Sequence, residues 1–401
     1  MNKQYIFNSL GSSYNWVDAL VAMKALFSPN KHAQTQLSDI IREWFPKFYV
    51  TPVYKGRDAL EIALKSLGVG IGDIVLTQAF SCYAIEEAIV RCGAHPLYYD
   101  VLPDSLVPNK ATLDQAMLRL QTESKNKKLV KVIIAQFSMG NVSAERVIRE
   151  WAHQNQIAYI ADLAQAIGCQ IGNEYVGTDA DAVVLSSGRD KILDGVSGGF
   201  VLTRQPLNTE LLTKQVVGTW QTARDCLYPF LSQLIRFTYP IQLGRVIHLL
   251  MNKMGIFYSP IVSIYTQPAQ MSATLATFLL HRWSTVESEK AHRRQIAEIY
   301  HQTLERQSLI EKADILTSSN LRYPLSVESP AKSIQHLEKE HIFIADRWYR
   351  HPVDSGAIGH QSEYVVGSCP NAEVAAKHCI NLPTHRGVSP EKAYQIAQLL
   401  L

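Results

Sequence analysis

Ile160-Ala161-Asp162-Leu163-Ala164-Gln165-Ala166-Ile167-Gly168 is the stretch on which the reading of this chain turns. An apolar run ends on a carboxylate, and a turn of small residues follows. A strand buried on both faces reads as a continuous hydrophobic run, so Ile157 to Asp162 predicts such a strand with Asp162 at its carboxyl end. Open parallel sheets bind ligands outside the carboxyl ends of their strands, which puts Asp162 in a cleft. A buried carboxylate without a partner is costly, so Asp162 calls for a cation. A structural arginine and a protonated pyridine nitrogen both serve. Gln165, three residues on, is placed to reach the same ligand.

Working outward, the same alternation repeats. Helix-like spacing at Gly56 to Leu67, Tyr83 to Cys92, Ala111 to Leu120 and Ser143 to Gln154 alternates with apolar runs at Asp73 to Thr77, Pro96 to Val101 and Leu129 to Phe137. Ala182 to Ser187 and Gly199 to Thr203 read as further strands. This predicts an α/β fold with a mostly parallel sheet and helices on both faces. Residues 1–50 read as a helical arm, and 51–270 as a large α/β domain with an apolar helical insertion at about 205–270. Residues 271–401 read as a long helix, Ala273 to Leu309, and a small C-terminal α+β domain. That domain has a strand at Ile342 to Ile344 and helices at Ser333 to Glu340 and Pro390 to Leu400.

The 401 residues are 47% hydrophobic, which excludes a disordered chain. Lys and Arg number 39 against 36 Asp and Glu, a net charge of +3 that argues against nucleic acid as the main partner. The six cysteines form no C-x-x-C pair and have no histidine at ligand spacing, so they read as reduced thiols with no metal site. No signal-peptide pattern and no apolar run of membrane-spanning length is present, so the expected location is the cytoplasm.

Two further stretches hold unusual residues. Lys55-Gly56-Arg57-Asp58-Ala59 opens a helix. Its free N–H groups suit an anion such as phosphate, or the stretch is a plain N-terminal cap with Asp58 in the first turn. Leu185-Ser186-Ser187-Gly188-Arg189-Asp190-Lys191 ends a strand in a polar turn, and Ser197-Gly198-Gly199 leads into the next. A lone loop lysine is ordinarily a surface charge. A phosphate-binding helix start, an aspartate for a pyridinium nitrogen and a lysine for a Schiff base are, however, the parts a pyridoxal phosphate site needs.

With those parts in this order, the sequence resembles the fold-type-I aminotransferases and, within them, the DegT/DnrJ/EryC1/StrS family of sugar aminotransferases. The resemblance runs from about Thr51 to Thr203 and resumes from about Ala273. Asp162 to Gly168 carries it most specifically. Gly72-Asp73-x-Val75, Gly93-Ala94-x-Pro96 and Cys379-Ile380-Asn381-Leu382-Pro383-Thr384-His385 also fit. It implies that Lys191 holds pyridoxal phosphate as an aldimine and moves the substrate proton, and that Asp162 pairs with the pyridine nitrogen. It implies that Gln165 contacts the ring or its O3′, and that Ser186 and the backbone at Gly56, Arg57 and Asp58 hold the phosphate. The family places an aromatic where Cys82 falls, so Cys82 or Tyr83 covers the other ring face.

The chain also departs from the family. Gly56-Arg57-Asp58-Ala59 stands where the family has Gly-Thr-Ser-Ala. Arg57 and Arg189 either contact phosphate or pair with Asp58 and Asp190. Asp346-Arg347-Trp348-Tyr349-Arg350-His351 suits a substrate or a domain interface, and Trp348, Tyr349 and Arg189 are carried as substrate residues. Leu231 to Leu250, with Arg236, Tyr239, Arg245 and His248 among apolar residues, reads first as a dimer interface. Docking on an anionic membrane surface is the second reading.

The implied protein is a homodimeric aminotransferase. Its small-molecule substrates are an amino donor, glutamate, and a keto acceptor on a nucleotide-linked sugar. The rivals are other pyridoxal phosphate chemistry (a dehydratase or lyase) and a noncatalytic or regulatory protein on the same fold. The family's dehydratase branch carries His at the lysine position, and this chain keeps Lys191.

Overall fold

The computed structural model describes residues 5–123, 129–208, 210–211, 215–259, 261, 267–345, 347–356 and 361–401. Its centre is a seven-stranded sheet in the order Tyr49–Val53, Gly199–Thr203, Ala182–Ser186, Ala158–Asp162, Val130–Gln136, Ile74–Gln78, His95–Tyr99. The last five run parallel, whereas Gly199–Thr203 is antiparallel to both its neighbours. The α/β architecture with a mostly parallel sheet is as the sequence predicts.

Period-two alternation sorts the strand residues onto two cores. Ile133, Ala135, Ala161, Val183 and Phe200 join one buried cluster, with residues of the Ala33–Trp44, Glu145–Gln154 and Ala273–Trp283 helices. Val132, Ile134, Ile160, Val184 and Val201 join the other, under the Gly56–Ser66 and Tyr83–Arg91 helices. Each of the Val, Ile and Phe side chains among them contributes about 1.5–3 kcal/mol relative to exposure. The central strands are thus dry on both faces, and Gln136, Asp162 and Ser186 are polar residues at their carboxyl ends.

A smaller unit pairs Arg322–Ser326 antiparallel with Cys379–Pro383 over its own core of Ile296, Tyr300, Leu325, Ile380 and Ile396. Residues of the expected helical arm take part in it. Ile6–Phe7 forms a strand parallel to Ile342–Phe343, ahead of the helices Trp16–Phe27 and Ala33–Trp44.

Three expectations need correction. Tyr49–Val53 is a strand that the pattern did not reveal. It carries Pro52 and is mostly half-exposed, which an edge position tolerates and a central one does not. The single helix expected over Ala273 to Leu309 is two, Ala273–Trp283 and Val286–Leu304. At the break, Ser284 Oγ donates to His281 O at 2.8 Å and Thr285 Oγ1 to Arg282 O at 2.8 Å, offering the backbone an alternative to continuing. Pro370–His378 is a further helix in the small unit. In the middle segment, Thr219–Thr238 and Leu243–Lys253 are helices, separated by a tight turn and by Gln242 in the left-handed region.

Candidate active site

Residues at the carboxyl ends of three parallel strands, Gln136, Asp162 and Ser186, line a cavity of about 430 Å³. Gly56, Arg57, Cys82, Gln165, Arg189, Lys191, Trp348 and Tyr349 line it too. Residues far apart in sequence, read separately as candidates, thus face one space.

Asp162 is the last residue of its strand and 6% exposed. The Ala164 N–H donates to it at 3.0 Å, and no cationic side chain pairs with it among the described residues. Burial pushes its carboxyl up to about 6, against the Ala164 hydrogen bond and the charge of Lys191. Such a carboxylate suits a bound cation, since none of the described residues forms an ion pair with it.

Lys191 reaches the cavity from the turn after Ala182–Ser186. Asp190 takes a left-handed backbone (φ 63°), and its N–H donates to Asp194 Oδ2 at 2.8 Å. Ser187 N donates to Gly198 O and Gly195 N to Ser187 O, both at 2.9 Å, closing the loop behind the lysine. Lys191 Nζ lies 5.0 Å from the centre of the Trp348 ring. Burial pulls its pKa below the ordinary lysine value, so more of it is neutral and nucleophilic near neutral pH.

The Gly56–Ser66 helix starts without a side-chain cap, and Gly56 and Arg57 of its first turn line the cavity. A Cβ at Gly56 would lie 2.7 Å from Ser186 Cβ and 2.8 Å from Ser186 Oγ, so only glycine lets the helix start meet the strand end. Backbone N–H groups, a positive helix end and a hydroxyl converge there, which fits a phosphate. That cradle and the unpaired Asp162 together match a group carrying both a phosphate and a protonated ring nitrogen.

The remaining candidates divide. Gln165 is held at both ends, its Nε2 donating to Tyr349 OH and its Oε1 accepting from Met139 N, each at 2.8 Å. Of the Cys82 and Tyr83 alternatives, Cys82 lines the cavity, as do Ala84 and Ile85 of the next helix, and Tyr83 does not. Asp58 also stands off the cavity lining. It is buried, 3.9 Å from Arg91, and accepts from Ala269 N at 3.4 Å. Arg57 pairs with Glu87 and donates to Ile261 O at 2.7 Å. Asp346 lies outside the described residues.

Arg189 does not pair with Asp190. Its Nη1 donates to Tyr258 O at 2.8 Å, and its guanidinium lies 4.0 Å from the Tyr228 ring centre and 4.5 Å from that of Tyr258. Its Nε and Nη2 are buried without a hydrogen-bond partner among the described residues. These two form the side of the guanidinium that binds carboxylate or phosphate through two parallel bonds.

Sequence reasoning missed the polar wall beside it. Lys55 lines the cavity, its Nζ donating to Ser197 Oγ at 2.8 Å and to Tyr258 OH at 3.2 Å. Tyr54 and Tyr258 hydroxyls both donate to buried Asp225 at 2.8 Å. Lys55 adjoins the quoted glycine, which was a usable signal. Asp225 and Tyr258 come from the middle segment and had none. From the small unit, Asp354 ties Arg350 at 2.9 Å and bonds through its backbone to Ser81 and Tyr83.

Comparisons with known proteins agree with this picture. The model of the DegT/DnrJ/EryC1/StrS aminotransferase family matches residues 31–228 and 247–401. The chain is similar to the pleiotropic regulatory protein of Geobacillus stearothermophilus, 23% identical over 351 residues, with 86% of this chain and 82% of that one covered. It is 30% identical over 181 residues to a UDP-N-acetyl-3-dehydro-alpha-D-glucosamine 3-aminotransferase of Acidithiobacillus ferrooxidans, covering 45% of this chain and 47% of the relative. NtdA from Bacillus subtilis, solved with the cofactor PMP bound, superposes with a TM-score of 0.68 at 17% identity over 99% of this chain and 86% of that one. That likeness speaks to the fold alone.

Proposed function

The chain belongs to the DegT/DnrJ/EryC1/StrS aminotransferase family, whose enzymes use pyridoxal phosphate, and from that premise we propose that it moves an amino group from glutamate to a keto group on a nucleotide-linked sugar. One observation carries the reading: Lys191 and Asp162 share a cavity with the uncapped helix start at Gly56 and with Ser186. When bound, the cofactor supplies an electron sink for charge that develops on the substrate carbon.

The chain's own residues do the rest. Lys191 would hold the cofactor and move the proton of the substrate carbon, helped by the burial that keeps part of it neutral. Asp162 accepts the hydrogen bond of the protonated pyridine nitrogen, and the pairing relieves the cost of its own burial. The backbone N–H groups at Gly56, Arg57 and Asp58 and the Ser186 hydroxyl hold the phosphate. The Asp58 carboxylate itself has no part in this. Cys82 covers one ring face, and Gln165, fixed by Met139 and Tyr349, contacts the ring or its O3′. Arg189, with Trp348 and Tyr349 across the cavity, receives an anionic part of the substrate.

The name of the Acidithiobacillus relative supports a nucleotide-linked sugar. We place the enzyme in the cytoplasm as a homodimer, with sedimentation equilibrium as the check on its mass. The name of the Geobacillus relative favours one second reading, a regulatory protein on this fold. Burial of an unpaired Asp162 beside Lys191 supports the enzyme, because a purely structural role leaves that cost without a return.

The test is to load the protein with pyridoxal phosphate, reduce with borohydride and map the peptides. A pyridoxyl mass on Lys191, and visible absorbance that glutamate consumes in the unreduced protein, are the expected results. Labelling without a glutamate response moves the reading to another donor or reaction. No labelling of Lys191 favours the regulatory reading.

A further inference from the structure

From Cys226 to Val286 the chain carries no Asp or Glu, while Arg236, Arg245 and Lys253 stand in the first half of that stretch. Much of that half is surface. The Leu243–Lys253 helix buries Gly244 alone. Its inner side packs Ile247 and Met251 against the cluster that holds Ile235 and Phe257. Its outer side is apolar as well: Val246, Leu249 and Leu250 are 53%, 55% and 47% exposed, and Met254 follows at 66%. A helix serving only its own core turns a polar face to water. Here the outward arc is apolar, and its charges are Arg245 and Lys253.

The apolar surface extends beyond this helix. Phe237 and Ile241, at the junction with the preceding helix, are 74% and 71% exposed. Trp16 lies against Phe237, ring centres 6.3 Å apart. Single exposed apolar residues need no explanation, but an adjoining set of this kind marks an interaction site. Residues 229–246 also form the internal gap in the family match. Phe237, Ile241, Arg245 and Val246 fall in that gap, whereas Leu249, Leu250 and Lys253 lie in the matched part.

Charge decides between the possible occupants. A twofold contact with a second copy sets the same patch against itself. Arg245 and Lys253 would then be buried in a segment that has no carboxylate to pair with them, which is unfavourable. A bilayer with anionic headgroups supplies the missing negative charge and accepts the apolar arc, with the long cationic side chains reaching up to the phosphates. We propose that the Leu243–Lys253 helix, with Phe237 and Ile241, docks the enzyme on an anionic membrane surface. The helix lies in the interface plane, since no described helix is long and apolar enough to cross a membrane. The inference stands independently of which acceptor the enzyme uses.

The test is co-sedimentation of the full chain with phosphatidylcholine vesicles, with and without about 30% phosphatidylglycerol, at low and high salt. The expected result is a partition about tenfold higher on the anionic vesicles at low salt, falling as salt rises. The Val246→Glu/Leu250→Glu double variant should lose it while keeping the wild-type circular dichroism, cofactor absorbance and sedimentation mass. Arg245→Gln/Lys253→Gln should lose the preference for anionic lipid. Absence of binding by the wild type, or binding retained by the Glu double variant, overturns the proposal. A folded Glu variant whose mass drops to half that of the wild type also overturns it, and identifies the face as a contact between copies.

Discussion

Replacing Asp162 by Asn should make the cofactor-free protein more stable at neutral pH, although it removes a residue the proposed activity needs. The carboxylate is 6% exposed, bonded among the described residues to the Ala164 N–H, and burial pushes its pKa up to about 6. In the unfolded chain an aspartate titrates near about 3.9. Holding the group ionised in the fold at pH 7 therefore costs roughly 3 kcal/mol. The sign follows from linkage. Between these two pKa values the folded state binds the proton and the unfolded state does not, so stability falls as pH rises from about 4 to about 6 and is level above that. Asn carries no charge and escapes the cost, less about 1 kcal/mol for an amide that finds one partner where it needs several.

The expected gain at pH 7.5 is thus about 2 kcal/mol, and it should cancel at about pH 4.6 and reverse slightly below that. Urea denaturation of both cofactor-free proteins across that range reads it directly. Adding pyridoxal phosphate reverses the order: the wild type gains from pairing a pyridinium with a waiting carboxylate, and the variant does not. A cofactor-free Asp162→Asn protein no more stable than the wild type at pH 7.5 would refute the argument that Asp162 is a strained, unpaired charge.

Lys191→Ala should abolish turnover while the protein still binds pyridoxal phosphate noncovalently, read by equilibrium dialysis. In the wild type the pH midpoint for cofactor attachment should lie below the ordinary lysine value, since burial disfavours the charged amine. Gly56→Ala puts a Cβ 2.7 Å from Ser186 Cβ and should cost about 1–3 kcal/mol of cofactor affinity by forcing helix start and strand end apart; titration calorimetry with inorganic phosphate and with the cofactor checks it. Arg189→Lys keeps the charge and loses the two-point donor edge, so KM for the anionic substrate should rise by about tenfold or more with kcat less affected. Asp18 is buried 3.1 Å from Arg282 and 3.0 Å from His281, and its pKa, against the cost of burial, is held below the usual range by Arg282 and by hydrogen bonds. Asp18→Ala should destabilise the fold by about 3 kcal/mol at pH 7. The wild type should lose stability relative to the variant as pH falls from the ordinary aspartate value through the lower folded one, and denaturation at pH 7 and at acid pH compares the two.

The central sheet was legible because its strands are buried on both faces, so each appears as an apolar run, and polar residues at the run's end mark the functional edge. Asp162 stood out on that ground, with Gln165 three residues on, whereas the family resemblance brought forward Ser186 and Lys191. Tyr49–Val53 did not, since an edge strand with Pro52 and half-exposed faces has no such signature. The break at Ser284 and Thr285 was equally hidden, because amphipathic spacing runs through it and local hydroxyl bonds end the helix.

Pairings across the chain were beyond the reach of local pattern. Sequence proximity suggested Asp190 for Arg189 and Asp58 for Arg57. The structure instead sets Arg189 between Tyr228 and Tyr258, and Arg57 on Glu87. The reason is geometric. A helix start or a tight turn points neighbouring side chains in different directions, and a buried charge takes whichever partner the packed tertiary structure brings within reach. The sequence by itself determined the fold class and the strand-end carboxylate, because burial imprints on composition residue by residue, and its family resemblance singled out the lysine. Only the tertiary structure decided that these face one cavity, that Cys82 and not Tyr83 borders it, and that Arg189 keeps a donor edge unpaired. Those outcomes depend on distances between segments that no local pattern encodes.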